Sequence, residues 1–233
     1  MGFLRGLLVL VLIIAAAGVG VGVWRGWIAL PPQWNPWAPL DVRAEPNLLT
    51  RYKLTRLRDE PQLCAQALSS SGLRVAPQAD SPDAKCPLID AWRVQGGEVA
   101  LSSSFLASCR LAVSFALFER HALQPAAQAV YGQAVSRVDH LGSFACRNVY
   151  GRESGRLSQH ASANALDIAG FRLADGRSIS VLKDWPKDNQ DARFLRQVRD
   201  AACDMFSVVL SPDYNAAHRN HFHLDVGGWS LCR

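Results

Sequence analysis

The chain has 233 residues, of which 49% are apolar, a formal net charge of +5 and six cysteines. This length gives room for one sizeable domain with an accessory segment, because domains usually hold roughly 100–200 residues, and the composition excludes a disordered chain. The arginines are scattered, without a basic stripe of interleaved aromatic residues, so nothing in the charge predicts nucleic acid as a partner.

An almost wholly apolar run opens the chain. The nineteen uncharged residues between Arg5 and Arg25 are close to the ~20 that a helix needs to cross the hydrocarbon layer. A cleaved signal peptide is the alternative, but the run exceeds the ~7–15 apolar residues of a signal and lacks a clear A-x-A cleavage site. We predict an uncleaved signal anchor over residues 1–28, flanked by residues typical of membrane interfaces. These are Trp24, Trp27, Trp34 and Trp37.

Three further segments follow the apolar run. Four prolines within residues 29–42 forbid helix continuation, so we predict a semi-rigid linker rich in proline and tryptophan over residues 29–49. A small subdomain is predicted over residues 50–100, with a helix in PQLCAQALSSSG and a turn-rich loop in QADSPDAKCP. Residues 101–233 are predicted to form the main domain.

Helices and strands alternate in the main domain. Apolar spacing predicts a helix from about Ser104 to His121, and Pro125 is expected to open a short helix that ends near Tyr131. The segment DARFLRQVRDAACDMF has a helical period, with Phe194 and Val198 on one face. Three segments are typical of strands: AVSRVDHLG, ALDIAGF and HFHLDV. The prediction is an α+β fold, in which a small sheet carries the polar motifs and helices back it.

The six cysteines contain no CxxC pair, which argues against a zinc ribbon or a thioredoxin-type redox site. After a membrane anchor they indicate three disulfides and an oxidising compartment, with buried free cysteines as the alternative. Six cysteines allow fifteen pairings, and we favour the set that avoids crossing bridges. That set is Cys64–Cys86, Cys109–Cys146 and Cys203–Cys232.

Two segments carry residues with metal chemistry. His160 and Asp167 lie in SQHASANALDIAGF, where small residues permit a tight turn before a strand. On the later strand, alternate side chains share a face, so His221, His223 and Asp225 point one way. Two imidazoles and one carboxylate form a catalytic zinc shell with water in the fourth position, and the remaining histidine of the pair can stabilise an oxyanion. Histidines on a solvated sheet face are the alternative interpretation.

These segments resemble the paired motifs S-x-H-x6-D and H-x-H of the superfamily that includes lysostaphin, D-Ala-D-Ala peptidases and the Hedgehog signalling domain. Residues 53–233, with CRN at Cys146, more closely resemble the bacterial extensin-like C-terminal domain family. The resemblance implies a small antiparallel sheet carrying a zinc site, and a peptidase that cleaves D-amino-acid bonds of peptidoglycan.

The resemblance also implies residue roles. His160, Asp167 and His223 are the expected zinc ligands, and His221 is the expected transition-state stabiliser. Arg147 is similar in placement to an arginine that binds substrate in relatives, although a structural arginine is equally consistent with the sequence. Ser158 is expected to support the loop or the ligands. His121 and His140 are expected to be structural.

The sequence departs from the superfamily pattern at the general base. Many relatives carry a glutamate shortly before the last ligand, whereas this chain reads AHRN. His218 occupies a slot that resembles the H-x2-H-x-H of penicillin-insensitive murein endopeptidases, and a neutral imidazole there can accept a proton from water. Asp225 and Glu153 are acids that could substitute, but we favour Asp225 as a group that supports the ligands and Glu153 as a solvated charge.

Three functions are consistent with these features. The first is a zinc metallopeptidase, anchored in the inner membrane with its soluble domain in the periplasm, that hydrolyses peptidoglycan peptides. The second is a module that retains zinc but only binds wall peptides or a protein. The third is a structural envelope protein in which the histidines and the aspartate join strands.

Overall fold

Two β-sheets and seven α-helices form the part of the chain that the structure, a computed structural model, describes, namely residues 2–233. The helices are α1 (Gly2–Trp24), α2 (Thr50–Arg56), α3 (Pro61–Ser70), α4 (Cys109–Phe118), α5 (Gln124–Tyr131), α6 (Val181–Asp184) and α7 (Gln190–Ala202). The strands are β1 (Arg74–Pro77), β2 (Trp92–Gly96), β3 (Ala100–Leu101), β4 (Phe105–Ala107), β5 (Val135–Gly142), β6 (Ala165–Leu173), β7 (Ser178–Ser180), β8 (Val208–Leu210), β9 (Phe222–Asp225) and β10 (Leu231–Cys232). The fold is α+β, as predicted.

Helix α1 corresponds to the apolar run at the start of the chain. Its 23 residues span about 34 Å at 1.5 Å per residue, and its most apolar window has a mean hydropathy of 2.7. Nearly all of its side chains are exposed; Gly22 and Val23 are the buried residues. The helix could be a single-pass membrane anchor or a signal sequence, since both share this length and composition.

The range predicted as a linker ends against the core. Leu40 and Val42 are buried in the same hydrophobic cluster as Leu54 of α2 and Phe105 of β4. This cluster therefore contains residues from the predicted linker, the predicted subdomain and the predicted main domain. The domain boundaries at residues 50 and 101 stay predictions.

The long helix of the main domain differs from its predicted bounds. It begins at Cys109, where Ser108 Oγ accepts a hydrogen bond from the Leu111 amide at 3.3 Å. The preceding residues form β4, which pairs with β2. The helix does not end at His121 either, because a π-helical turn over Glu119–Leu123 joins α4 to α5. The short helix that Pro125 was expected to open is therefore the continuation of α4.

The larger sheet carries the polar motifs. Its strand order is β10-β8-β9-β6-β5-β3, with β7 paired to β6. The three predicted strands are confirmed as β5, β6 and β9. Strands β5, β6, β9 and β8 are antiparallel, whereas β3 and β10 pair in parallel at the two edges, so the whole sheet is mixed. Helix α7 buries Phe194, Val198 and Ala202, which confirms the predicted apolar face.

All six cysteines form disulfides, as predicted, but two of the three favoured pairings are wrong. The bonds are Cys64–Cys109, Cys86–Cys146 and Cys203–Cys232. The first two cross in sequence because α3 packs against α4, which brings Cys64 to the first residue of α4. The favoured pairing assumed that disulfides do not cross along the sequence. The packing of α3 against α4 determines the actual pairing instead.

Candidate metal centre

Strands β6 and β9 place Asp167 and His223 side by side. The two residues are direct partners in the antiparallel register, which brings side chains on one face to within about 5 Å. Phe222 and Leu224 point to the other face, where each is only 1% exposed. The sequence alternation of β9 therefore separates the polar site from the core.

His160 approaches the same point from a short 3-10 turn, Gln159–Ser162, that precedes β6. Ser158 caps this turn, because its Oγ accepts a hydrogen bond from the His160 amide at 3.4 Å. Ala163 then adopts a left-handed conformation, φ 51°, which reverses the chain into β6. The small residues between His160 and Asp167 permit this reversal, as the sequence indicated.

The three predicted ligands converge. His223 Nδ1 lies 2.9 Å from Asp167 Oδ1 and 3.2 Å from His160 Nε2, and His160 Nε2 lies 3.3 Å from Asp167 Oδ2. Ligand atoms about 2.1 Å from a tetrahedral ion lie about 3.4 Å apart. The spacing therefore suits a single divalent ion with three protein ligands and one open position.

The distal nitrogens of both ligand histidines are held by groups that accept hydrogen bonds. His160 Nδ1 lies 3.0 Å from the backbone carbonyl of Ser143, and His223 Nε2 lies 3.1 Å from Asp225 Oδ2. Each of these nitrogens therefore carries the hydrogen, which leaves the lone pairs of His160 Nε2 and His223 Nδ1 directed at Asp167. Histidines that bind metals are oriented in this way.

Three electron-pair donors at this spacing need a cation or a proton between them. Burial alone would lower the pKa of His223, but its hydrogen bonds with Asp167 and Asp225 outweigh burial and raise that pKa to about 9. Burial raises the pKa of Asp167, but the neighbouring His160 and His223 rings favour its ionised form more strongly, so the net change is downward. A divalent ion and the His223 proton would compete for the same place.

A second group of potential ligands within residues 2–233 consists of Asp83, Cys86 and Cys146. The two cysteines are bonded to each other. A disulfide lacks the thiolate that binds metals, so this group is not a metal site.

His221 and His218 stand beside the three ligands. His221 Nε2 lies 3.5 Å from Asp167 Oδ1, and burial lowers the pKa of His221. The His218 ring lies with its centroid 5.3 Å from that of His221 and 5.8 Å from that of His223. Burial, followed by repulsion from His223 and His221, lowers the pKa of His218 to about 4. His218 is therefore neutral at pH 7.

Asn215 determines which nitrogen of His218 carries the hydrogen. Asn215 Oδ1 accepts the Ala217 amide at 3.0 Å, and a backbone N–H can only donate, so this atom is the amide oxygen. The same oxygen lies 2.8 Å from His218 Nδ1, which must therefore donate. His218 Nε2 is left with its lone pair free. The Asn215 amide nitrogen donates to the hydroxyl of Tyr150 at 3.1 Å.

The three ligands, together with His218, His221 and Tyr150, line a cleft of about 440 Å³, which we call the metal cleft. The predicted substrate residue Arg147 lines it, together with Arg156, which lies 5.2 Å from the ring of Trp229. Trp229 and Tyr150 are exposed at 64% and 52%. The volume of the cleft lies within the ~300–1,000 Å³ typical of ligand-binding pockets.

The remaining predicted candidates are engaged by other residues or lie outside the metal cleft. Asp225 is buried behind His223, and Glu153 is exposed and does not line the metal cleft. His121 Nε2 lies 2.8 Å from the carbonyl of Val42, and His140 Nε2 lies 2.8 Å from the carbonyl of Ser103. Both of these histidines are placed as structural residues.

The sequence interpretation missed three contributors to the site. Ser143 acts through its backbone carbonyl, which leaves no signal in the residue type. Asn215 begins a helical turn, and an asparagine at such a position is a known cap signal that could have been found. Tyr150 has a left-handed backbone, φ 58°, in a loop rich in glycine.

Comparison with known proteins identifies the family of the chain. The chain belongs to the family described as Extensin-like protein C-terminus, whose model matches residues 62–233. The match includes all the residues of the metal cleft. No curated protein and no solved structure matches the chain.

Proposed function

We propose that the protein is a zinc-dependent peptidase that hydrolyses D-amino-acid peptide bonds of peptidoglycan, within the superfamily of lysostaphin, D-Ala-D-Ala peptidases and the Hedgehog domain. The observation that carries the proposal is the convergence of His160 Nε2, Asp167 and His223 Nδ1 within 3.3 Å of one another. Support also comes from the distal hydrogen bonds that orient both imidazoles. Zinc suits two imidazoles and one carboxylate.

The chain's own residues suit peptide hydrolysis. When bound, zinc supplies a Lewis acid that polarises the carbonyl and lowers the pKa of water. His218 Nε2 accepts the proton of the attacking water, because Asn215 keeps that nitrogen free. His221 Nδ1 lies 2.9 Å from the side-chain amide of Asn220, and with the Asn220 NH₂ group turned toward that nitrogen, His221 Nε2 carries the hydrogen. His221 Nε2 then donates to the carbonyl oxygen as it gains charge. The C–N bond then breaks, and the proton held by His218 passes to the leaving amine.

We place the protein in the inner membrane, with the soluble domain in the periplasm. Helix α1 is long and apolar enough to serve as the anchor. Three disulfides favour an oxidising compartment, where peptidoglycan peptides would be available as substrate.

A module that holds zinc and binds wall peptides without cleaving them is the second candidate. It is favoured by the lack of a free acid: around the metal cleft, within residues 2–233, the carboxylates are Asp167 and Asp225, and both are engaged by His223. His218 is therefore the group on which the distinction depends.

Incubation of the zinc-loaded full chain with purified muropeptides separates the candidates. We expect new amine termini, detected by mass spectrometry, with a loss of about 10²–10⁴-fold in His218→Ala, the usual contribution of a general base. Glu153→Gln is the matched control and should cleave like the parent. One bound zinc without any cleavage would instead favour the binding module.

A further inference from the structure

A second cleft, of about 530 Å³, lies beside the metal cleft and is larger. The residues that matter for its chemistry are Arg58, Asp80, Ile89, Trp92, Gln159 and Gly228. None of them has a role in the hydrolysis described above. The cleft is open to solvent, because Ile89 is 53% exposed on its wall.

Gln159 forms the boundary between the two clefts, since it lines both of them. It directly precedes the ligand His160 and packs against Gly227, where an added Cβ would lie 2.7 Å from Gln159 Nε2. That same Cβ would lie 3.1 Å from Oδ1 of Asp225, the residue that orients His223. The second cleft therefore begins within one side chain of the metal centre.

The Gln159 carboxamide has no hydrogen-bond partner within the described residues, although the backbone carbonyl of Gln159 accepts the amides of Ala163 and Asn164. The side chain is only partly buried. An amide offers one acceptor and two donors, which match the N–H and C=O groups of an extended peptide. The backbone of a peptide that runs from one cleft to the other could form hydrogen bonds with the Gln159 carboxamide.

The walls of the second cleft offer both signs of charge and an apolar surface. Arg58 provides a largely exposed guanidinium, which pairs with the carboxylate of Asp59 at 3.2 Å. Asp80 and Asp90 stand on another wall, where the Asp90 amide donates to Asp80 Oδ1 at 3.1 Å. Ile89 and Trp92 lie beside them. A ligand that carries amino and carboxyl groups on a short apolar backbone matches this combination.

We propose that the second cleft is an extension of the substrate site, which binds the uncleaved part of a cross-linked wall peptide while its backbone pairs with Gln159. This inference rests on the proposed function. It identifies cross-linked peptides, rather than single stems, as the preferred substrate class. The metal cleft holds the bond to be cleaved, and the second cleft holds the other stem through its charged groups.

The test compares the binding of a disaccharide tetrapeptide with that of its cross-linked dimer, by calorimetry on the zinc-loaded full chain. All proteins carry His218→Ala, so that cleavage is about 10²–10⁴-fold slower and binding can be measured before it occurs. Gly228 lines the second cleft, an added Cβ there has nothing within 4 Å, and its φ is outside the left-handed region, so Gly228→Trp places a bulky side chain at this lining without backbone strain. Gln159→Leu removes the carboxamide at similar volume. Lys183→Trp, on an exposed position of α6, is the matched control.

We expect the dimer to bind about tenfold more tightly than the tetrapeptide, and both Gly228→Trp and Gln159→Leu to abolish most of this preference. Lys183→Trp should leave it unchanged. If Gly228→Trp lowers the melting temperature markedly, its binding data are set aside and the preference measured for Gln159→Leu tests the inference. An unchanged preference in folded variants overturns the inference but leaves the proposed function standing. Failure of the parent to bind either peptide overturns the proposed function, and the inference with it.

Discussion

Replacement of Asn215 by alanine tests the arrangement that prepares His218 as a base. The substitution removes the oxygen that accepts from His218 Nδ1 at 2.8 Å and from the Ala217 amide at 3.0 Å. A neutral hydrogen bond contributes about 1 kcal/mol, which corresponds to about a fivefold change in the ratio of the two imidazole tautomers. Cleavage should fall by a smaller factor, roughly twofold, because the share of the tautomer with a free Nε2 falls from about five-sixths to about one-half when the ratio changes from about 5:1 to about 1:1.

The assay is ¹⁵N NMR of the His218 ring at neutral pH, which distinguishes a protonated Nδ1 from a protonated Nε2. In the parent, Nδ1 should carry the hydrogen; in Asn215→Ala the signals should shift toward the average of the two tautomers. Asn189→Ala is the matched control, because Asn189 caps α7 through the Ala192 amide at 3.0 Å, away from the site. Each variant should lose about 1 kcal/mol of stability through its cap. Only Asn215→Ala should change the His218 signal, and a parent with an unprotonated Nδ1 would refute the reasoning.

Three further predictions follow from the same geometry. Asp225→Asn leaves His223 Nε2 without its carboxylate and should weaken zinc binding about 10–100-fold, measured with a competing chelator; an unchanged affinity would contradict the orienting role. In metal-free protein, the pKa of His223 is about 9 in the folded state against about 6.5 in the unfolded state. Protonated His223 therefore adds to the free energy of unfolding at pH 6, and this contribution is lost as the pH rises through 9. Urea unfolding with a chelator present should show this decline, and a zinc-loaded sample should not. Replacement of Cys86 and Cys146 by serine should cost about 4 kcal/mol for a 60-residue separation, and non-reducing peptide mapping should recover Cys86 linked to Cys146.

The local pattern of the sequence predicted the strands that build the site. Along β9 and the residue before it, Phe222 and Leu224 alternate with His221 and His223. This alternation shows which face of the strand is buried, since the side-chain period of a strand is two. The position of His160 opposite these strands depended on the resemblance and on the small residues before Asp167. The alternation, the resemblance and the small residues together predicted that His160, Asp167 and His223 meet at one point.

Long-range packing lay beyond the reach of the sequence. The residues Phe105–Ala107 have the apolar character of a helix, but pairing with β2 makes them a strand. The crossed disulfides depend on α3 meeting α4. The sequence offered Asn215 as a cap signal, but a cap signal does not show that the same side-chain oxygen also lies against His218 Nδ1.

The zinc content of purified full chain and its variants, measured by mass spectrometry of the metal, tests the central claim most directly. We predict one zinc per chain in the parent, Glu153→Gln and His218→Ala, and loss of zinc in His160→Ala and Asp167→Ala. Retention of zinc by folded His160→Ala protein, or a zinc-free parent after incubation with the ion, would contradict the assignment of His160, Asp167 and His223 as its ligands.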